Sequence, residues 1–154
     1  MNTDLNVLED LFIRLQNSQI IDYSYRNNIL RLQILTNIAA FLLPSSQHIN
    51  LVLQDCHYLY FLSYTQTQET RSPIDNLEEI FRKGLIIRGI ELRNRENSAL
   101  QAKEGFILYC NSILSTVEAG ELHLKASGFQ MYDQEFGRVS YPDFSKASDL
   151  LKSS

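Results

Sequence analysis

The chain has 154 residues, 44% of them apolar and 21% charged, with eight Tyr, eight Phe and no Trp, which is the make-up of one ordinary globular domain spanning 1–154. Its net charge of −4, with seven Lys or Arg against five Asp or Glu even in the most basic stretch, 71–103, argues against the strongly basic face with which nucleic-acid binders displace counterions from phosphate. The longest wholly apolar run, Ile38–Leu43, is far short of the ~20 residues of a membrane helix, so neither nucleic acid nor membrane is an expected partner.

The first element reads as a helix, because Leu5, Leu8, Leu11, Phe12 and Leu15 recur at spacings of three and four. Thr3 is its expected N-cap. The N-terminus lacks the basic and apolar regions of a signal peptide. With only Cys56 and Cys110 in the chain, the expectation is a soluble cytoplasmic protein with reduced thiols.

A hairpin follows. Ile21, Tyr23 and Tyr25 alternate with polar residues, and after Asn27-Asn28 the alternation resumes at Leu30, Leu32 and Ile34. A two-residue Asn-Asn turn sets Tyr25 opposite Leu30, Tyr23 opposite Leu32 and Ile21 opposite Ile34. Residues 37–47 read as a connection that tucks its apolar hexad inward. Strand patterns return at 48–54, with Ile49, Leu51 and Leu53 on one face, and at 57–64. There Tyr58, Tyr60, Leu62 and Tyr64 share a face opposite Leu59 and Phe61, which suggests a strand inside the sheet. Asp55-Cys56 between them is a tight turn or a bulge.

The stretch 65–71 reads as an exposed loop. Ser72-Pro73-Ile74-Asp75 resembles a helix start, and Gly84 stands where a C-terminal glycine cap belongs. Strands are expected at 85–92, 106–110, 120–126 and 129–132, with turns around 93–97, at Ala119-Gly120 and at 133–137, and a bulge at Gly128. A helical turn suits 98–104, and a short helix follows Pro142. The order predicts an α+β fold, mainly antiparallel sheet with an N-terminal helix, a central helix near 73–83 and a short C-terminal helix.

No catalytic motif emerges. Asp55-Cys56-His57 offers a thiol, a base and a carboxylate. In an extended segment, however, Cys56 and His57 point to opposite faces, and a nucleophilic cysteine needs its base nearby in space. The expectation for Cys56 is a buried packing thiol. His48, His57 and His123 have no metal-ligand spacing, although His48 and His57 on consecutive strands could approach, with Cys56 or Cys110 joining them. Glu78-Glu79 reads as a solvated helix face, and Glu118 and Glu121 as exposed residues beside a turn. The glycines form no phosphate-binding loop, and no cofactor is called for.

Tyrosine is the feature left over, since it brings a large apolar body and a hydroxyl handle to interfaces. In size and acidity the chain is similar to small bacterial immunity and adaptor proteins. The expected function is a non-enzymatic protein-interaction module that presents Tyr58, Tyr60 and Tyr64 to a protein partner, with a two-fold homodimer as one form. The alternative is a small-molecule or enzymatic site assembled around Asp55, Cys56, His57 and His123.

Overall fold

The computed structural model describes residues 2–64, 72–93, 105–113 and 119–154. Within them the chain runs α1 (Leu5–Arg14), β1 (Gln19–Arg26), β2 (Ile29–Leu35), α2 (Ala39–Leu42), β3 (His48–Gln54), β4 (His57–Ser63), α3 (Leu77–Arg82), β5 (Leu85–Arg93), β6 (Gly105–Ser112), β7 (Ala119–Lys125), β8 (Gly128–Tyr132), β9 (Arg138–Val139) and α4 (Tyr141–Lys152). All strand pairs are antiparallel, in the order β4-β7-β6-β5-β1-β2-β3-β8-β9. This is the expected α+β fold with its three predicted helices, plus the short α2.

The β1–β2 hairpin turns at Asn27 and Asn28, both with positive φ (54° and 61°), as a tight two-residue turn requires. Tyr23 faces Leu32 and Tyr25 faces Leu30, as the alternation predicts. One pair differs: Ile20, not Ile21, lies opposite Ile34, because a bulge between Ile20 and Asp22 inserts one extra residue. A single insertion switches the face of what precedes it. Ile20 is therefore buried, and Ile21 is left 42% exposed.

Two corners curl the sheet. β3 runs into β4 through Asp55-Cys56, and β7 runs into β8 through Ala126-Ser127, yet β4 and β7 lie at the far end of the strand order from β3 and β8. Gln54 is paired with Gly128 before the corner and His57 with Lys125 after it. The Ser127 N–H donates to the Gln54 carbonyl at 2.9 Å. The bent ribbon thus joins the two halves on one side, while Gln19 paired with Ile86 joins β1 to β5 on the other. Strands that change sheet at a bend are the usual way to build such corners.

The enclosed space is filled from all sides. Leu30, Leu32, Ile49, Leu51, Leu108 and Leu122 come from the strands, Leu8, Leu11 and Phe12 from α1, and Phe144 from α4. Burying each large apolar side chain contributes about 1.5–3 kcal/mol. Phe12 packs against Phe106 with ring centroids 5.7 Å apart, and Arg14 on α1 reaches Asp149 on α4 at 2.8 Å.

Several local expectations are corrected. Asp4, not Thr3, caps α1 by accepting from the Asn6 N–H. Asn76, not Ser72, caps α3, because Ile74 is engaged in a β-bridge with Phe61 and cannot join a helix. β4 is an edge strand rather than an interior one, and its open side is partly covered by that bridge, where Phe61 and Ile74 exchange two backbone bonds of 2.8 Å. Ala119 and Gly120 lie in β7 rather than in a turn, and Gly128 pairs regularly with Gln54 without a bulge. The readings for 65–71, 94–97, 98–104 and 114–118 lie outside the described residues. Among the described residues no helix is long and apolar enough to cross a membrane.

Candidate functional site

Along β4 and β7, Phe61 faces Leu122 across the pair, and both are buried in the core. Side chains alternate between faces, so the neighbouring pairs, Tyr60 with His123 and Leu62 with Glu121, point to the opposite side of the sheet. There the rings of Tyr60 and His123 stack, with centroids 4.6 Å apart and planes 11° apart. The Nε2 of His123 lies 3.1 Å from the Glu121 Oε1. On the next strand Tyr109, paired with Glu121, donates its hydroxyl to the Glu91 carboxylate on β5. A band of two tyrosines, a histidine and two carboxylates therefore crosses four strands on one face.

His123 is 5% exposed and held by both a ring and a carboxylate, so it is fixed in place rather than presented to solvent. Glu121, expected to be exposed beside a turn, is instead partly buried within β7 and orients that histidine.

The tyrosines on either side of Tyr60 are the accessible ones. Tyr58 is 55% and Tyr64 44% exposed. The β4–β7 register shifts between His57 and Tyr60, and Tyr58 takes the left-handed conformation there, with φ 57°. A bulky side chain strains the backbone in that region.

The triplet at the corner is dispersed. Asp55 turns the chain with φ 52°, and its Oδ1 lies 2.8 Å from the His57 Nε2 at the surface. Cys56 is fully buried. Its N–H donates to the Asn28 carbonyl at 2.6 Å, and its own carbonyl accepts the Tyr25 hydroxyl at 2.6 Å. Burial, reinforced by the charge of Asp55, pushes the Cys56 thiol up to about 12, and burial alone pushes Cys110 up to about 12. Nucleophilic cysteines need the opposite shift.

Of the four residues considered for a small-molecule or enzymatic site, Asp55 and His57 meet, Cys56 points into the core, and His123 belongs to the stack with Tyr60. His48 lies at the start of β3 and His57 just beyond its end, roughly 20 Å apart at strand rise, so the two do not converge. Among the described residues no group of three or more His, Cys, Asp or Glu is gathered to hold a metal ion. Clefts of about 570, 610 and 380 Å³ lie near the start of α4, beside the end of α1 and between α2 and α4. None of the three is lined by Asp55, Cys56, His57 or His123.

No family model, curated protein or solved structure matches this chain. The stack of Tyr60 on His123 and the role of Glu121 were missed in the sequence. The alternation of Glu121, His123 and Lys125 does show that the three share a face, but only the pairing of β4 with β7, which sets Tyr60 opposite His123, brings Tyr60 beside them.

Proposed function

We propose that this chain is a non-enzymatic protein-interaction module, adaptor-like or immunity-like, that docks a second protein against the β4 face through Tyr58, Tyr60 and Tyr64. The observation that carries this reading is Tyr58. A large aromatic, more than half exposed, is held in a strained left-handed backbone where a glycine or asparagine would sit without strain. Such strain persists where a displayed side chain has a use. The ionisable groups nearby support binding over chemistry, because His123 is enclosed by Tyr60 and Glu121, and the Cys56 thiol is buried.

Ile74 bridges the backbone of β4 at Phe61, so at that position the surface offers side chains rather than open backbone. The Asp55 carboxylate at the corner and the net charge of −4 favour a partner with basic groups at its rim.

The test is affinity capture from the native cell with the wild-type chain and with the Tyr58→Ser/Tyr64→Ser double variant as baits. A protein retained in near-equal amount by the wild type and lost with the variant is expected. Partners retained equally by both baits would overturn the reading, and a small molecule bound one-to-one without a protein would favour a ligand site instead.

A further inference from the structure

β1 has a second edge. The two-residue turn makes Arg26 and Ile29 the closing hydrogen-bonded pair, so bonding to β2 alternates back through Ser24 with Arg31 and Asp22 with Gln33. The backbone groups of Tyr23 and Tyr25 therefore point away from β2. On that side β1 is paired with β5 only at Gln19. Among the described residues, no strand pairs with the remainder of that edge; its nearest neighbour is α3, whose Phe81 ring stacks on the Tyr23 side chain. The one bond there is local: the Tyr23 N–H donates to the carboxylate of its neighbour Asp22 at 2.8 Å.

The residues along this edge are self-complementary. Consider two copies of β1 running antiparallel about a two-fold axis at Ser24. Tyr23 then faces Tyr25 of the second copy, and Tyr25 faces its Tyr23, so the outward backbone groups of both meet as hydrogen-bonded pairs. Asp22 faces Arg26 of the other copy, and Arg26 faces its Asp22, giving two opposite-charge pairs in the close, non-hydrogen-bonded positions. Asp22, Ser24 and Arg26 are all exposed, and Arg26 has no ion pair within its own chain among the described residues. A two-fold axis requires that one patch match itself, and the segment Asp22-Tyr23-Ser24-Tyr25-Arg26 does so at every position.

We propose that the chain forms a two-fold homodimer by antiparallel pairing of β1 with β1 of a second copy, centred on Ser24, so that the sheet continues from one molecule into the next. This surface lies on the β1 hairpin, whereas the partner-docking face is on β4, so neither proposal depends on the other. On association, the Asp22 carboxylate exchanges its bond to the Tyr23 N–H for the guanidinium of Arg26, and that N–H turns to the carbonyl of Tyr25 in the second copy.

Two measurements test it. Sedimentation equilibrium of the wild type should give twice the 17.8 kDa chain mass at micromolar concentration. Asp22→Arg and Arg26→Asp should each weaken association at least tenfold while circular dichroism shows them folded, and the charge-swapped double variant should restore it. The second measurement is disulfide trapping. Under mild oxidation Ser24→Cys should cross-link readily to its counterpart on the axis, whereas Asp22→Cys, which faces residue 26, should not; the native thiols are buried and do not compete. A wild type that stays at one chain mass up to ~100 µM overturns the proposal. So does a dimer indifferent to both charge reversals, a double variant that fails to recover, or equal cross-linking of the two cysteine variants.

Discussion

The hydroxyl of Tyr25 on β1 donates to the main-chain carbonyl of Cys56 at 2.6 Å, tying the tip of the first hairpin to the corner between β3 and β4. The Cys56 N–H closes the same junction from the other side by donating to the Asn28 carbonyl. Tyr25→Phe keeps the ring and removes the donor, leaving the carbonyl without that bond. It should cost about 1 kcal/mol in urea denaturation. A change near zero would show that water replaces the hydroxyl without loss.

The two thiols make stability sensitive to alkali. Cys56 and Cys110 are pushed from the usual 9.0 up to about 12 by burial, and desolvation raises Tyr25 in the same sense. Between pH 9 and 12 the unfolded chain loses these thiol protons while the folded chain keeps them. Stability is therefore at its full value below pH 9 and falls as pH rises, by about 1.4 kcal/mol per pH unit for each thiol. The Cys56→Ala/Cys110→Ala variant, less stable near neutrality, should show a shallower alkaline fall in thermal melts. In the native protein neither thiol should react with a thiol reagent over minutes at pH 8, and both should react at once in denaturant.

Two glycines are held by space and backbone. A Cβ on Gly120 would lie 2.4 Å from the Leu62 carbonyl oxygen and 2.4 Å from the Phe61 ring, and the carbonyl belongs to a paired strand that cannot move aside. Gly120→Ala should cost about 2 kcal/mol or more and loosen β4 from β7, which hydrogen exchange at Tyr64, whose N–H donates to the Ala119 carbonyl, would register. Gly84, with φ 64°, ends α3 in the left-handed region. Gly84→Ala should cost about 1–2 kcal/mol, readable as a lowered thermal midpoint with unchanged strand exchange.

Tyr23 is stacked on Phe81 of α3, with ring centroids 4.6 Å apart, and faces Leu32 across the hairpin. Tyr23→Asp removes that contact and sets a charge against an apolar wall. A loss of roughly 2–4 kcal/mol is expected, with Tyr23→Phe close to neutral. Equal effects from the two substitutions would mean that the phenol hydroxyl, and not the ring, carries the interaction.

What could be read in the sequence was what neighbours decide. The hairpin register from Tyr23 to Arg26 follows from alternation and the Asn-Asn turn, and both ends of α1 follow closely from its apolar spacing. The bulge at Ile21 escaped because Ile20 and Ile21 are both apolar, and it lies beside the pairing of Gln19 with Ile86 on β5, a distant strand that local alternation does not reveal. Ser72-Pro73 has the composition of a helix start, but tertiary pairing of Ile74 with Phe61 overrides it. The candidate surface was half legible. Tyr58, Tyr60 and Tyr64 stand out in the sequence, whereas their neighbours His123 and Glu121 are brought beside them only by the sheet order.

The corner also governs how the chain can reach this shape. Ser127 and Gln54 are 73 positions apart, and their junction forms only after nearly the whole chain is available. The Tyr23–Leu32 hairpin, by contrast, closes locally and can form within microseconds. Pairings between distant segments are slow because loop entropy is lost before contacts are gained. During synthesis, therefore, the outer edge of β3 stays unpaired until β8 emerges, and in that interval the nascent half-sheet offers an open strand edge to aggregation.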